Sequence, residues 1–112
     1  MSPDFKSKYI TLDWDNISID EANKRMQYIL DNYANVKQFV LSLSPTKGFH
    51  CRITLYSASN VARLRKEWKD DGRRLVNDLL NRPDRIHDIL WSRKTLYGIT
   101  WEEKELTTYV RS

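Results

Sequence analysis

The sequence predicts an α+β domain of the ferredoxin-like, RRM-like type, with a four-stranded antiparallel sheet and two helices on one face. Three observations support this fold class. Short stretches of alternating or β-branched apolar residues flank a tight turn, two other segments carry apolar residues at helical spacing, and the order is strand, helix, strand, strand, helix, strand. Right-handed crossovers convert that βαββαβ order into a sheet whose second face remains available to a ligand.

The first strand and the first helix have clear local signals. Residues 8–14 (KYITLDW) form a short run of β-forming residues, which predicts a buried strand. Ser18, followed three residues later by Glu21, is a capping box that begins a helix. The apolar stripe of this helix comprises Ala22, Met26, Ile29, Leu30 and Tyr33.

A hairpin of two alternating strands follows. Residues 36–43 (VKQFVLSL) and 49–56 (FHCRITLY) alternate with a period of two, and residues 44–48 (SPTKG) connect them in a turn. On the second strand the alternation directs Phe49, Cys51, Ile53 and Leu55 toward the core and His50, Arg52, Thr54 and Tyr56 to the other face. A strand with one polar face is typical of a sheet that is open on one side.

The second half supplies a long helix and a fourth strand. Ser59 is the expected cap of a helix that reaches residues 81–83 (NRP), with a kink or brief break at 70–72 (DDG). Residues 86–91 (IHDILW) predict the fourth strand, 97–101 a fifth or edge strand, and 101–109 are ambiguous. We therefore expect a single domain over 1–112, with a βαββαβ core over 8–94 and a C-terminal extension over 95–112.

Composition and charge limit the classes of function. The net charge is +4, and the excess of basic residues lies within 58–94, which favours a partner that carries phosphate. A solvated helix face is the alternative interpretation.

Neither a long apolar run nor a signal-like segment occurs, so we expect no membrane partner. The single Cys51, which alternates inward, fits the reducing cytoplasm. Candidate nucleic-acid contacts are Arg52, Arg63, Lys66, Arg73, Arg74 and Arg93.

Two acids at the end of the first strand form the first candidate site. Asp13 and Asp15 leave the same side of an extended chain, because side chains two residues apart point the same way. Mg²⁺ or Mn²⁺ relieves the repulsion between two such carboxylates and commonly binds through them and through substrate phosphates. The alternative is that both acids only favour the positive N-terminus of the following helix.

The hairpin turn forms the second candidate site. Gly48 permits a close approach of the backbone, Lys47 supplies a positive charge for phosphate, and His50 can donate a hydrogen bond to a phosphate or sugar oxygen. An ordinary turn followed by a polar residue on the solvent face is the alternative interpretation. If the first strand and residues 49–56 are neighbours in the sheet, both candidate sites meet on its open face.

Together these motifs resemble the archaeo-eukaryotic primase superfamily, which includes the primase-polymerases of plasmids and viruses. The pattern is a strand ending in D-x-D, a helix, a hairpin with S-x-x-K-G-x-H or a close variant, and an Asp on a later strand; it extends over about residues 9–94. The resemblance implies that Asp13 and Asp15 hold metal ions together with a third acid, Asp88 or the weaker candidate Asp84. It also implies that Ser44, Lys47, Gly48, His50 and Lys94 or Arg93 lie around the nucleotide phosphates. The chain is shorter than typical catalytic domains of this family.

The resemblance implies a replication protein of plasmid or viral type in the host cytoplasm. Its partners would be DNA or RNA and nucleoside triphosphates, with a replication partner subunit as a further candidate. The sharper form of the hypothesis is a Mg²⁺- or Mn²⁺-dependent nucleotidyltransferase that uses Asp13, Asp15 and Asp88 in catalysis.

Two other classes of protein share the topology. One is a non-catalytic, RRM-like protein that binds single-stranded nucleic acid by stacking bases on Tyr9, Phe39, Tyr56 or Trp91. It would bind without metal. The other, less favoured, is a rolling-circle replication initiator, whose His-hydrophobic-His motif would fall at residues 50–52 (HCR), where the second His is missing. A purely structural interaction protein is also consistent with the basic helix.

Overall fold

The chain has an α+β fold in which two helices pack on one face of an antiparallel sheet, as the sequence predicts. The structure is a computed structural model that describes residues 2–45, 48–72, 74–75, 79, 93–96 and 98–111. Its elements are β1 (Lys6–Trp14), α1 (Ile19–Asn32), β2 (Val36–Leu43), β3 (Phe49–Asn60), α2 (Val61–Glu67), β4 (Arg93–Leu96), β5 (Ile99–Glu102) and β6 (Lys104–Val110). The main sheet is antiparallel with the order β1-β3-β2-β6, and β4 pairs with β5 in a separate hairpin.

The start of α1 follows from its cap. The Ser18 hydroxyl accepts a hydrogen bond from the backbone N–H of Glu21 at 3.1 Å, which satisfies one of the amides that a helix leaves unpaired. The Glu21 carboxylate does not reach back to the cap. It accepts a hydrogen bond from Arg25 Nε at 3.2 Å, one turn along the helix, so only half of the predicted capping box is formed.

The core lies between the sheet and the two helices. Strand residues such as Leu12, Phe39 and Cys51 have no exposed surface, and they share one buried cluster with Ile29 of α1 and Leu64 of α2. Both helices therefore cover the same face, and the predicted inward alternation is confirmed. Complete burial of Phe39 corrects its predicted role as a surface for base stacking.

Helix α2 is much shorter than predicted. Its cap is Asn60 and not the predicted Ser59, because the Asn60 side chain accepts from the Arg63 N–H at 2.8 Å; the last helical residue is Glu67, and Trp68 is the C-cap. Lys69 then adopts a positive φ of 61°, which turns the chain out of the helix. The break expected at 70–72 is thus present, and helical backbone resumes at Gly72.

The fourth strand of the main sheet comes from the C-terminal segment. β6 lies beside β2, with Phe39 opposite Tyr109, so residues 95–112 contribute a sheet strand and not merely an extension. Arg111 fixes this end of the chain, because its guanidinium donates to the carbonyl of Val36 at 2.8 Å and to that of Leu30 at 2.9 Å. The predicted strand over 86–91 lies outside the described residues. Within the described part, no helix is long and apolar enough to cross a membrane.

A buried carboxylate fastens the segment after α2 to β1. Asp70 has no exposed side-chain surface and accepts from Arg65 Nε at 2.5 Å and from Arg74 Nη1 at 2.8 Å. The same carboxylate accepts the backbone N–H of Asp13 at 2.7 Å. It therefore takes part in the hydrogen bonding of the β1 edge, and the loop after α2 lies against that strand.

We expect Asp70→Asn to lower the free energy of unfolding by about 3–5 kcal/mol, because it removes the charge that compensates buried Arg65. Urea denaturation followed by circular dichroism measures this change. Glu67→Gln is the matched control: its pair with Arg63 is exposed and spans 3.6 Å, so its loss should cost less than about 1 kcal/mol. Equal effects of the two substitutions would contradict this account.

Candidate metal and phosphate site

Three carboxylates from two distant parts of the chain converge at the end of β1. One oxygen each of Asp13, Asp15 and Asp71 lies within 4.8 Å of the others. Asp13 and Asp15 are the predicted pair, whereas the sequence analysis missed Asp71. Its backbone N–H donates to the Asp13 carbonyl at 3.0 Å and to Asp70 Oδ1 at 2.9 Å, so the buried ion pair carries Asp71 to this position.

Asp13 is electrostatically unusual. Burial and the adjacent Asp15 carboxylate raise the pKa of Asp13 to about 7, against the opposing effect of Arg74. Asp13 Oδ1 is buried and accepts no hydrogen bond from any residue that the structure describes. A buried carboxylate oxygen without a donor is costly, and a divalent cation beside it would remove that cost. The donor set of oxygen ligands suits Mg²⁺ or Mn²⁺.

His50 lies next to Asp13 in the centre of the sheet. Its Cα is paired with Asp13 on β1 and with Ser42 on β2, and its Nε2 is 3.9 Å from Asp13 Oδ1. Burial lowers the pKa of His50, and this effect outweighs the opposing hydrogen bond with Glu103. The predicted proximity of Asp13 and the imidazole on one face is therefore present in the structure.

Glu103 covers part of the face that we expected to be free. It lies between β5 and β6, and its carboxylate approaches His50 Nδ1 at 2.7 Å and Arg52 Nη2 at 3.0 Å. Burial alone would raise the pKa of Glu103, but the hydrogen bonds from Arg52 and His50 lower it below its ordinary value. A ligand on this face therefore meets a carboxylate of the chain itself, which the sequence analysis did not foresee.

The hairpin turn approaches the acid pair closely. Gly48 has a φ of 82°, and a Cβ atom added there would lie 2.2 Å from the Trp14 carbonyl oxygen and 2.7 Å from Asp15 Oδ1. The close backbone approach predicted for Gly48 is thus observed, and it takes place at the D-x-D segment. Ser44 is buried, and its backbone N–H donates to the Gly48 carbonyl at 3.1 Å. Lys47 lies outside the described residues.

The remaining predicted contacts are dispersed. Arg63 and Lys66 are exposed on α2, whereas Arg74 is bound to Asp70 and to Thr11 and belongs to the packing at the β1 edge. Arg52 is about one-third exposed beside Glu103. Arg93 and Lys94 are on β4, with side chains outside the described part of the structure, and Arg73, Asp84, Asp88 and Trp91 lie outside it entirely.

Fold and site together define an α+β protein whose antiparallel sheet carries a three-carboxylate cluster beside a buried histidine. No protein-family model, curated protein or solved structure matches the chain.

We expect Gly48→Ala to destabilise the protein by about 1–3 kcal/mol and to weaken binding of Mn²⁺, because the added methyl group displaces the turn from the acid pair. Gly98→Ala is the matched control. Gly98 has a similar φ of 77°, but among the described residues no atom lies within 4 Å of the added Cβ, so we expect that substitution to carry only the backbone strain. Denaturation and Mn²⁺ titration of both variants check this, and the explanation fails if Gly98→Ala is equally harmful to metal binding.

The stability of the protein should fall as pH rises through 7 because of Asp13. The pKa of Asp13 is about 7 in the folded chain and near 3.8 in the unfolded chain. Between these two pH values the folded state keeps a proton that the unfolded state has lost, so the free energy of unfolding falls as pH rises from about 4 to 7. Without added metal, Asp13→Asn should gain roughly 2–4 kcal/mol relative to wild type between pH 4 and pH 8. Denaturation as a function of pH measures this difference. The exposed Asp4→Asn should follow wild type, and a constant difference between Asp13→Asn and wild type would refute the raised pKa.

Proposed function

We propose that this chain binds the phosphates of nucleotides or nucleic acids through a divalent cation and acts in replication, as a protein that resembles a minimal primase-polymerase core. The observation that carries the proposal is the convergence of Asp13, Asp15 and Asp71 within 4.8 Å. The unpartnered Asp13 Oδ1 adds to it, because the cluster contains a buried oxygen that lacks a donor.

The cluster suits a cation that also binds phosphate better than a cation that is held by protein ligands alone. Mg²⁺ and Mn²⁺ commonly bind through a few carboxylates and complete their coordination with water and substrate phosphates. The Gly48 turn brings backbone next to the acids, and Arg52 lies two residues beyond His50 on the same face of β3. We expect a phosphate bound to a cation at this cluster to lie on the sheet face that also carries the Arg52 guanidinium, which is about one-third exposed beside Glu103.

Nucleotidyl transfer is the sharper form of the proposal, and it needs a third acid. We assign that role to Asp71, which lies beside Asp13 and Asp15; Asp88 lies outside the described residues and stays a prediction. When bound, paired divalent ions would supply activation of the attacking 3′-hydroxyl and neutralisation of the leaving pyrophosphate. The chain's own residues hold the acids in place and position the phosphates.

The expected partners are DNA or RNA and nucleoside triphosphates in the cytoplasm, with a second replication subunit as a further candidate. Arg63 and Lys66 on the exposed side of α2 offer sequence-independent contacts to a phosphate backbone.

A non-catalytic binder of single strands is the second candidate function. Tyr9 and Tyr56 are 66% and 45% exposed, and alternation directs both to the sheet face opposite the core. Exposed aromatic side chains on an open sheet are the usual platform on which RRM-like proteins stack bases. This function requires no metal, which separates it from the first.

We expect Asp15→Asn and Asp71→Asn each to weaken Mn²⁺-dependent binding of a nucleoside triphosphate at least tenfold, because each removes one charged ligand. Calorimetric titration with and without EDTA measures this, and Asp4→Asn is the surface-acid control. Incorporation of labelled nucleotide on a primed template, lost in the same variants, would establish the transferase.

The two candidate functions give opposite results in this experiment. If the chain binds single strands equally well in EDTA and after Asp15→Asn, but loses affinity after Tyr9→Ala or Tyr56→Ala, the metal-dependent function is excluded. Each stacked base is worth about 1–3 kcal/mol, so the loss should be at least several-fold.

A further inference from the structure

The imidazole of His50 is held in a defined orientation. The side chain is 8% exposed, and its Nδ1 lies 2.7 Å from Glu103 Oε1. Glu103 is itself fixed by Arg52, which donates to both carboxylate oxygens at 3.0 and 3.3 Å. A carboxylate paired with a guanidinium accepts hydrogen bonds, so the hydrogen between the two side chains belongs to Nδ1. In the neutral ring this leaves the lone pair on Nε2.

The lone pair faces a second acceptor. Nε2 is 3.9 Å from Asp13 Oδ1, which is too far for a hydrogen bond, and Oδ1 is buried and accepts no hydrogen bond from the described residues. Two acceptors 3.9 Å apart, with no donor from the described residues between them, fit a cation that both atoms can bind. A carboxylate behind a histidine ligand is also the usual outer partner at metal sites, where it fixes the tautomer and makes the nitrogen more basic.

We propose that His50 Nε2 and Asp13 Oδ1 together bind a divalent transition-metal ion, with Glu103 as the positioning residue of the histidine. This inference rests on the proposed function, since Asp13 is shared with the carboxylate cluster, and it deepens that function by naming the class of ion. An imidazole ligand suits Fe²⁺, Ni²⁺ and Zn²⁺, and Co²⁺ lies between Fe²⁺ and Ni²⁺ in the order of affinity, whereas Mg²⁺ and Mn²⁺ prefer oxygen ligands. The site therefore discriminates against Mg²⁺ through a nitrogen donor that the acid cluster alone does not offer.

Cobalt is the probe for this site, because the visible spectrum of Co²⁺ reports the identity of its ligands. Wild type should bind Co²⁺ at least tenfold more tightly than Mg²⁺, and the ring ¹⁵N resonance assigned to His50 Nε2 should shift on binding of diamagnetic Zn²⁺. His50→Gln should reduce the affinity for Co²⁺ at least tenfold, change its spectrum and leave the affinity for Mg²⁺ within about twofold of wild type.

Glu103→Gln tests the positioning role separately. The amide can donate to Nδ1 and so stabilise the other tautomer, and we expect a 10–100-fold loss of Co²⁺ affinity with a melting temperature close to that of wild type. Glu67→Gln, at an exposed pair with Arg63 on α2, is the matched control and should not alter the spectrum.

The outcomes separate this inference from the proposed function. If Co²⁺ and Mn²⁺-nucleotide bind to wild type but His50→Gln leaves the Co²⁺ spectrum and the ratio of Co²⁺ to Mg²⁺ affinity unchanged, the histidine ligand is refuted and the phosphate-binding function stands. If the His50 signal responds to Zn²⁺ but no nucleotide binds, the mixed site stands and the function fails. The NMR measurement uses the unmutated chain, so a variant that does not fold leaves the result decisive.

Discussion

The buried Asp70 carboxylate is the constraint on which the architecture around the site depends. It neutralises Arg65 and Arg74 and also accepts the backbone N–H of Asp13, so one side chain joins the end of α2 to the edge of β1. Burying this group is favourable only with all three partners in place, because an uncompensated charge in the interior is costly. The position of Asp71 beside Asp13 follows from that arrangement.

The order and faces of the first strands could be predicted because their signals are local. Alternation placed Cys51 inward and His50 outward, and Ser18 marked the start of α1. Residues 70–72 indicated a break after α2, but not the residue at which the helix ends, because that depends on the positive φ of Lys69 and on the buried ion pair of Asp70. The fourth strand also depends on tertiary pairing: residues 104–110 are mostly polar, and β2 provides the edge that orders them.

The candidate site likewise combines residues that local signals predict with residues that only tertiary contacts bring in. The proximity of Asp13 and His50 follows from strand register, which a hairpin and one crossover largely determine. Asp71 and Glu103 reach the site only through the loop after α2 and the segment between β5 and β6, and no periodicity connects them to it. The sequence signal for this arrangement was the position of Asp70, five residues after Arg65 and four before Arg74, a spacing that suggests a charge network rather than a simple helix break.

The wide sequence separation within the site has a kinetic consequence. His50 and Glu103 are 53 positions apart, and Asp13 and Asp70 are 57 apart, so the two contacts that organise the site close large loops. Closing loops of this size costs conformational entropy that non-local contacts must offset, and such contacts slow folding. During refolding, the geometry of the site would thus form with these non-local contacts, and chains that lack them would lack the arrangement of Asp13, His50 and Glu103.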